Sequence, residues 1–312
     1  DPAYTESLAA AKTEPHKRRK EADANTVFKN TSATQATSTT IQIETGVSRR
    51  RQAIDGFGGS VAFWGTKADN KALTATLDEL NANIIRVQGE VTKAGLTDHN
   101  VALLQRGMAV NPSLHVLLTF WQPRSAEHLE PEYWLRAEQI DGTEQYILRD
   151  DRMEQWADEL ISRVQFYRSL GINVTTIGIQ NESNWSHEGT QTCRWEPERL
   201  KTFIEQFIQP RLEANHLTDL LIAAPDLAYI GPDASEFRRF LPALMSPDVD
   251  IAAYHMYDSY QKNEDGNFEI LVGNTQKLAQ LADEFIPTKK LWMTETTGAQ
   301  WNGNVFNFNF HF

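Results

Sequence analysis

The chain has 312 residues, of which 40% are hydrophobic and 23% charged, the balance of a globular protein with one large domain or two small ones. The net charge of −12 argues against nucleic acid as the main partner, because phosphate binding needs a basic face. No apolar run approaches the roughly 18–20 residues that span a bilayer, and the single cysteine, Cys193, excludes an internal disulfide framework and a cysteine-only zinc site.

Residues 1–40 carry no periodic apolar pattern and are interpreted as a polar N-terminal arm. The basic cluster over residues 12–20 is typical of a solvated surface, since the acidic remainder of the chain does not support a nucleic-acid or targeting patch. Residues 39–45 alternate like a half-buried strand. The folded domain is therefore predicted over residues 41–312.

From residue 53 onward, short apolar runs alternate with segments of helical periodicity. The runs predicted as strands are 54–57, 84–87, 115–120, 176–179, 220–224, 249–254 and 291–294. The segments predicted as helices are 72–80, 101–110, 153–170, 197–212, 234–244 and 275–285. Repeated strand–helix units indicate parallel strands with helical crossovers. Because no phosphate-binding G-x-G-x-x-G follows the first strand, the pattern favours a (β/α)8 TIM barrel over a doubly wound sheet.

Polar residues whose side chains can act in catalysis or binding follow most of the predicted strands. In a barrel, catalytic groups stand at the carboxyl ends of the strands. The residues at these positions are Asp55, Arg86, Gln88, Trp121, Asn181, Glu182, Asp226, His255, Tyr257 and Glu295. An accidental collection of loop residues would be mostly Gly, Pro, Ser and Lys, so this set predicts a functional site.

Two of these residues, Glu182 and Glu295, end buried strands with a carboxylate. Glycoside hydrolysis uses such a pair, because one carboxylic acid protonates the leaving oxygen while the other carboxylate attacks or stabilises the anomeric carbon. Asn181 could hold the sugar 2-hydroxyl, and Arg86 could form an ion pair with Glu295.

Aromatic and imidazole side chains complete the predicted site. Tyr257 could donate to the nucleophile, and His255 could orient it or contact the sugar. Five tryptophans fall in or near predicted loops, where indole rings can stack on sugars. They are Trp64, Trp121, Trp185, Trp195 and Trp301, whereas Trp134, Trp156 and Trp292 are predicted to lie in the core.

Three segments together resemble glycoside hydrolase family 30, within the retaining clan A (β/α)8 glycosidases. They are Ile-Asp-Gly-Phe-Gly-Gly at 54–59, Ile-Gln-Asn-Glu at 179–182 and Trp-Met-Thr-Glu at 292–295. The resemblance implies Glu182 as general acid/base on the fourth strand and Glu295 as nucleophile on the seventh. It also implies Arg86 and Trp121 as subsite residues and Tyr257 as a contact of the nucleophile.

We therefore expect a retaining β-glycoside hydrolase of the endo-xylanase or endo-β-1,6-glucanase/galactanase type. Candidate substrate-binding residues are Arg86, Trp121, Asn181, Trp185, Asp226, His255, Tyr257 and Trp301. The expected partner is an oligo- or polysaccharide, with no cofactor and no metal, in a secreted or periplasmic location. A non-catalytic carbohydrate-binding protein on the same scaffold is the alternative.

The eighth strand of the barrel has no regular counterpart. Only 17 residues follow Glu295, fewer than the roughly 30 of a βαβ unit. Residues 305–312 alternate Phe or Val with polar residues, as a strand would. Either this segment closes the barrel without its helix, or the barrel is incomplete after strand 7.

Overall fold

A computed structural model of the chain describes residues 54–61, 82–90, 96–186, 192–256, 260–262, 268–270 and 272–295. All of them belong to one compact unit, Ile54–Phe312. The predicted arm over residues 1–40, the strand-like stretch 39–45, the helix 72–80 and the alternating segment 305–312 lie outside the described residues.

The described part contains eleven strands and eight α-helices. In chain order they are β1 (Gly58–Val61), β2 (Ile84–Gln88), α1 (Leu96–Val110), β3 (His115–Thr119), α2 (Pro131–Trp134), β4 (Leu135–Ile140), β5 (Thr143–Leu148), α3 (Met153–Ser169), β6 (Val174–Gly178), α4 (Pro197–Phe203), α5 (Gln209–Ala214), β7 (Leu221–Leu227), α6 (Ser235–Arg239), α7 (Leu241–Leu244), β8 (Ile251–His255), β9 (Tyr260–Lys262), β10 (Phe268–Ile270), α8 (Val272–Phe285) and β11 (Lys290–Glu295). A π-helical turn, Ile204–Ile208, joins α4 to α5.

Seven strands form one parallel sheet in the order β1-β2-β3-β6-β7-β8-β11. The first and last strands come close together, because the Asp55 carboxylate before β1 accepts bonds from Lys290 Nζ at 2.7 Å and Trp292 Nε1 at 2.8 Å on β11. The sheet is therefore a nearly closed barrel, which confirms the predicted TIM-barrel fold class for these seven strands.

The first strand is displaced from its predicted position. Residues 54–57 precede the first strand, with Ile54 56% and Phe57 62% exposed, and β1 starts at Gly58. A Cβ on Gly58 would lie 1.9 Å from the Ile84 carbonyl oxygen, so the close approach to β2 requires glycine here. Asp55 thus lies at the amino end of the sheet, and its predicted place among the strand-end site residues is wrong.

Two hairpins interrupt the barrel pattern. The β4–β5 hairpin follows β3, and the β9–β10 hairpin follows β8. Both therefore occupy loops on the carboxyl side of the barrel strands, which is the side where catalytic groups stand in this architecture.

The apolar core has two parts. Small and medium side chains fill the barrel interior, namely Leu117, Ala223, Ile251 and Ala253, with Trp292 packed against them. Larger side chains lie between the sheet and its helices. Trp134 and Trp156 are fully buried there, as predicted. Trp195 is also fully buried, packed against Phe203, so the prediction that it lies free to stack on sugar is wrong.

No helix in the described part of the chain combines the length and apolar character needed to cross a membrane.

Candidate active site

Glu182 and Glu295 meet at the carboxyl ends of their strands. Glu182 lies four residues past the end of β6, and Glu295 is the last residue of β11, in register with His255 of β8. Their side chains are 16% and 25% exposed, so both carboxylates are shielded yet reachable from solvent. One carboxylate oxygen of each lies within 4.8 Å of the other.

The Glu182 backbone adopts a left-handed conformation, with φ of 56°. Its N–H donates to the carbonyl oxygen of Asp226 at 2.8 Å, and the preceding Asn181 N–H donates to the Phe120 carbonyl at 2.6 Å. Asp226 is left-handed as well, at φ 58°, beside an irregularity in the β7–β8 register. Positive φ in non-glycine residues costs on the order of 1–3 kcal/mol and is concentrated at functional sites. These backbone bonds fix the Glu182 segment against β7 and against the residue that follows β3.

Arg86, in the middle of β2, is the hub of the site. The guanidinium group is 3% exposed and donates to Glu295 Oε2 at 2.7 Å, Asp226 Oδ2 at 2.8 Å and Asn181 Oδ1 at 2.6 Å. A further bond reaches Ser60 Oγ on β1 at 3.3 Å. Although burial alone would lower its pKa, attraction to Asp226 and Glu295 raises the pKa of Arg86. The predicted pairing of Arg86 with Glu295 is present in this geometry.

His255 lies between two carboxylates at the end of β8. Its Nδ1 is 3.4 Å from Glu182 Oε1, and its Nε2 is 3.4 Å from Asp226 Oδ1. Burial opposes the charged imidazolium, but Asp226 and Glu182 outweigh it and raise the pKa of His255 to about 9. The same contacts act in the other direction on Asp226. Burial alone would raise the pKa of Asp226, but attraction to Arg86 and His255 and the hydrogen bond from Thr294 lower it.

Glu182, His255 and Glu295 each offer a ligand atom within 4.8 Å of the other two, a spacing at which three ligands can share a metal ion. Arg86 already contacts Glu295 at 2.7 Å with a full positive charge. A divalent ion in the same place would face this cation, so the local charge distribution opposes metal binding by these three residues.

The structure can be compared with known proteins on the basis of this fold. No family model matches the chain, and no curated protein matches it. Solved structures do match, among them the GH30 endoxylanase from Clostridium papyrosolvens C71, with TM-score 0.57 and 18% identity over 79% of this chain and 57% of that one. The endo-β-1,6-glucanase BT3312 matches with TM-score 0.58 and 20% identity over 83% and 61%. SrfJ from Salmonella typhimurium matches with TM-score 0.54 and 21% identity over 77% and 56%.

The fold resembles that of glycoside hydrolase family 30. Sequence identities of 18–21% show a likeness of fold. The family resemblance found in the sequence motifs is therefore confirmed for the fold. The chain spans 56%, 57% and 61% of the length of the three solved proteins.

The aromatic candidates are distributed unevenly in this family-30-like barrel. Trp121, two residues past β3, is 5% exposed and has the Arg86 guanidinium 4.4 Å from its ring centroid. Trp185 is half-buried, and its backbone N–H donates to the Glu182 carbonyl at 3.0 Å. Two predicted substrate-binding residues, Tyr257 and Trp301, lie outside the described residues.

Sequence reasoning missed three residues that support the site. Thr294 donates its hydroxyl to Asp226 Oδ1. Gln180 Nε2 donates to the Trp121 carbonyl at 2.6 Å. Glu90, two residues past the end of β2, is 4% exposed and accepts bonds from the Trp121 backbone N–H. Only Glu90 had a usable signal in the sequence, since it is a carboxylate just past a buried strand.

Proposed function

We propose that this protein is a retaining β-glycoside hydrolase, with Glu182 as general acid/base and Glu295 as nucleophile. The observation that supports this assignment is the short separation of the two carboxylates, whose nearest oxygens lie within 4.8 Å. Retaining glycosidases place their carboxyl groups roughly 5–5.5 Å apart, whereas inverting enzymes need roughly 6.5–9.5 Å to admit a water. The distance favours direct attack by a side chain over attack by water.

The surrounding charges suit these two roles. Arg86 binds Glu295 at 2.7 Å and so favours the carboxylate that attacks the anomeric carbon. Glu182 would protonate the glycosidic oxygen as Glu295 forms the glycosyl-enzyme, and then take a proton from the water that hydrolyses it.

Asn181 supports the same reaction. Its Oδ1 accepts from Arg86 at 2.6 Å, which fixes the amide orientation and leaves Nδ2 as the donor for a sugar hydroxyl. A bond to the 2-hydroxyl strengthens in the oxocarbenium-like transition state.

The substrate we propose is a β-linked polysaccharide of the xylan or β-1,6-linked glucan or galactan class, cleaved outside the cytoplasm. The likeness in fold to an endoxylanase and to an endo-β-1,6-glucanase supports this choice. The two hairpins on the carboxyl side of the barrel offer additional walls to a groove.

The test has two stages. A panel of xylan, β-1,6-glucan and β-1,6-galactan is assayed for new reducing ends, and product sizes distinguish endo from exo cleavage. The enzyme is then incubated with a dinitrophenyl 2-fluoro-glycoside of the preferred sugar, and peptides are mapped by mass spectrometry. We expect a covalent sugar on Glu295.

Variants complete the assignment. Glu295→Gln should abolish turnover and labelling, and Glu182→Gln should lower kcat by about 10²- to 10⁴-fold on substrates that need acid assistance. Glu205→Gln is the matched control, because Glu205 is a half-buried glutamate on the outer π-helical turn, bound to Lys201 and Ser246. Unchanged turnover in Glu295→Gln would contradict the proposal. Sugar binding without labelling or cleavage would favour the non-catalytic carbohydrate-binding protein.

A further inference from the structure

The carboxylate of Glu90 is buried beside the site but takes no part in the reaction proposed above. It lies past the end of β2 and is 4% exposed. Both of its oxygens accept from the Trp121 backbone N–H, at 3.1 Å each, and Oε1 also accepts from the Gln122 N–H at 3.3 Å and from Gln88 Nε2. Within the part of the chain that the structure describes, no cation forms an ion pair with this carboxylate. Burying a carboxylate is costly, so it requires several hydrogen-bond donors.

The Trp121 backbone is bound at both its N–H and its carbonyl group. Glu90 binds its N–H, and Gln180 Nε2 binds its carbonyl oxygen at 2.6 Å. The Trp121 ring in turn lies against the Arg86 guanidinium, 4.4 Å from ring centroid to Cζ. Arg86 contacts Glu295, Asp226 and Asn181. A continuous path of contacts therefore connects Glu90 to the nucleophile.

We propose that Glu90 is a positioning residue for the hydrolysis reaction: its carboxylate fixes the Trp121 peptide and, through the Trp121 ring, the orientation of Arg86 against Glu295. The proposal rests on the function assigned above. It predicts a change in kcat without an equal change in KM, because the path ends at the attacking carboxylate rather than at a remote sugar subsite.

We call the hydrogen-bonded contact between the Glu90 carboxylate and the Trp121 backbone the clamp. The same geometry makes this clamp depend on pH. Burial raises the pKa of Glu90 to about 7, although hydrogen bonds from Gln88 and from backbone amides partly offset this effect. Above pH 7 the carboxylate accepts all of these bonds. Below it, the protonated carboxyl carries a hydrogen that faces N–H donors, and the clamp loosens.

Among the described residues, three arginines contact the residues around Glu90, one on α3, one in the loop after β3 and one on β2. Arg163 of α3 donates to the Gly89 carbonyl at 3.1 Å, Arg124 donates to Gln122 Oε1 at 2.6 Å, and Arg86 of β2 lies on the Trp121 ring. All three keep their charge across the neutral range, so they add no titration of their own near pH 7.

The first experiment measures kcat and KM from pH 5 to 9 for the wild type, Glu90→Gln, Glu90→Asp and the control Glu205→Gln. We expect Glu90→Gln to lose about 10- to 100-fold in kcat at pH 8, because small misplacements of reacting groups cost rates of this order. The wild-type kcat should rise as the pH increases through about 7, and this rise should be absent in Glu90→Gln. Glu90→Asp should restore part of the activity lost in Glu90→Gln. A stable Glu90→Gln with the wild-type kcat and pH profile would overturn the proposal.

The second experiment needs neither a variant at Glu90 nor activity. Selective ¹⁵N-tryptophan labelling gives backbone signals for eight residues, and Trp121→Phe identifies the signal of Trp121. We expect its amide proton to move upfield as the pH falls through about 7, as the acceptor loses its charge. A Trp121 signal that stays constant from pH 5 to 9 contradicts the clamp. If the Trp121 signal titrates but the protein has no glycosidase activity, the clamp is supported and the proposed function is wrong.

Discussion

Arg86 illustrates how a full charge is accommodated in the barrel interior. Its guanidinium is nearly inaccessible, and its two terminal nitrogens donate to acceptors on β1, β7 and β11 and in the loop after β6. Burying a charge is tolerated only when it is paired and hydrogen-bonded, and removing one partner leaves the others uncompensated. The group that organises the site is therefore also a group on which the fold depends.

We expect Arg86→Met to lower the free energy of unfolding by about 3–5 kcal/mol, because the buried Asp226 loses one of its two cationic partners and Asn181 loses its donor. Urea denaturation followed by circular dichroism measures the change. Arg136→Met is the control, since Arg136 on β4 is 52% exposed and its ion pairs are worth about 0–1 kcal/mol. Equal losses in the two variants would show that Arg86 does not stabilise the core.

His255 makes stability depend on pH in a definite direction. Its pKa is raised from 6.5 to about 9 in the folded state. The stabilisation is thus fully present below pH 6.5 and is lost as the pH rises through about 9, with a total on the order of 3 kcal/mol. We expect the free energy of unfolding of the wild type to fall from pH 6.5 to 9.5, and that of His255→Gln to change much less. If both proteins show the same pH slope, His255 is not charged in the fold.

At the scale of elements, the β4–β5 hairpin supports the loop that carries Glu182. Ser186, four residues after Glu182, accepts from the Tyr146 N–H at 2.7 Å through Oγ, and its own N–H donates to Gln145 Oε1 at 2.9 Å. The next segment joins the same hairpin, since the Arg194 N–H donates to the Tyr146 carbonyl at 2.8 Å. The hairpin is therefore part of the framework that positions Glu182.

Ser186→Ala should lower the free energy of unfolding by about 1–3 kcal/mol, because the Tyr146 N–H loses its acceptor in a region shielded from water. It should also lower kcat, because the bonds of the Ser186 hydroxyl to Gln145 and Tyr146 are lost and only the backbone bond of residue 186 to Gln145 remains. Thermal denaturation and turnover measure both effects. Ser162→Ala on α3 is the control, since Ser162 is exposed and bonds only within its helix. If Ser186→Ala is less stable but keeps the wild-type kcat, the bonds of Ser186 to the hairpin do not contribute to catalysis.

Apolar runs in the sequence locate several of the barrel strands closely. The runs at 84–87, 115–120 and 291–294 match β2, β3 and β11 within one residue at each end. Helix 197–212 is continuous in the fold apart from the π-helical turn before Pro210, and segment 234–244 is split around Phe240, before Pro242. In both places the proline removes a backbone donor, a local effect that an apolar pattern does not reveal.

The predictions that failed concern residues whose place depends on tertiary packing. β1 reads Gly-Gly-Ser-Val, with almost no apolar signal, because the chain passes so close to Ile84 that Gly58 has no room for a side chain. The β4–β5 hairpin, with its exposed polar strand Leu135–Ile140, also lacks a one-sided apolar pattern. The proposed pair Glu182 and Glu295 can be predicted from the sequence because strand ends in a barrel converge, whereas the contact of Glu90 depends on where the Trp121 backbone lies.

At the scale of the whole molecule, burial is graded across the barrel. The central strands β3, β6, β7 and β8 are buried almost throughout. The terminal strands differ, since β11 exposes Leu291 and Met293 at 37% and 46%, and residues Gly58, Gly59 and Ser60 of β1 are exposed. The amino ends of the two terminal strands are joined through Asp55, whose partner Lys290 is 44% exposed. Such an exposed pair contributes about 0–1 kcal/mol, so this junction is weak.

This gradient predicts graded protection from hydrogen exchange. Amides open locally with free energies that follow the burial around them, up to the global free energy of unfolding in the core. We expect the slowest exchange in β6, β7 and β8, and faster exchange, by at least tenfold, in β1 and β11. Hydrogen–deuterium exchange with mass spectrometry, with peptides covering each strand, measures these rates. Asp55→Asn should accelerate exchange in β1 and β11 while leaving β7 unchanged, because it removes the charge that pairs with Lys290. Uniform protection across all seven strands would mean that the barrel unfolds as one unit, and that the exposed ends of the sheet are as stable as its centre.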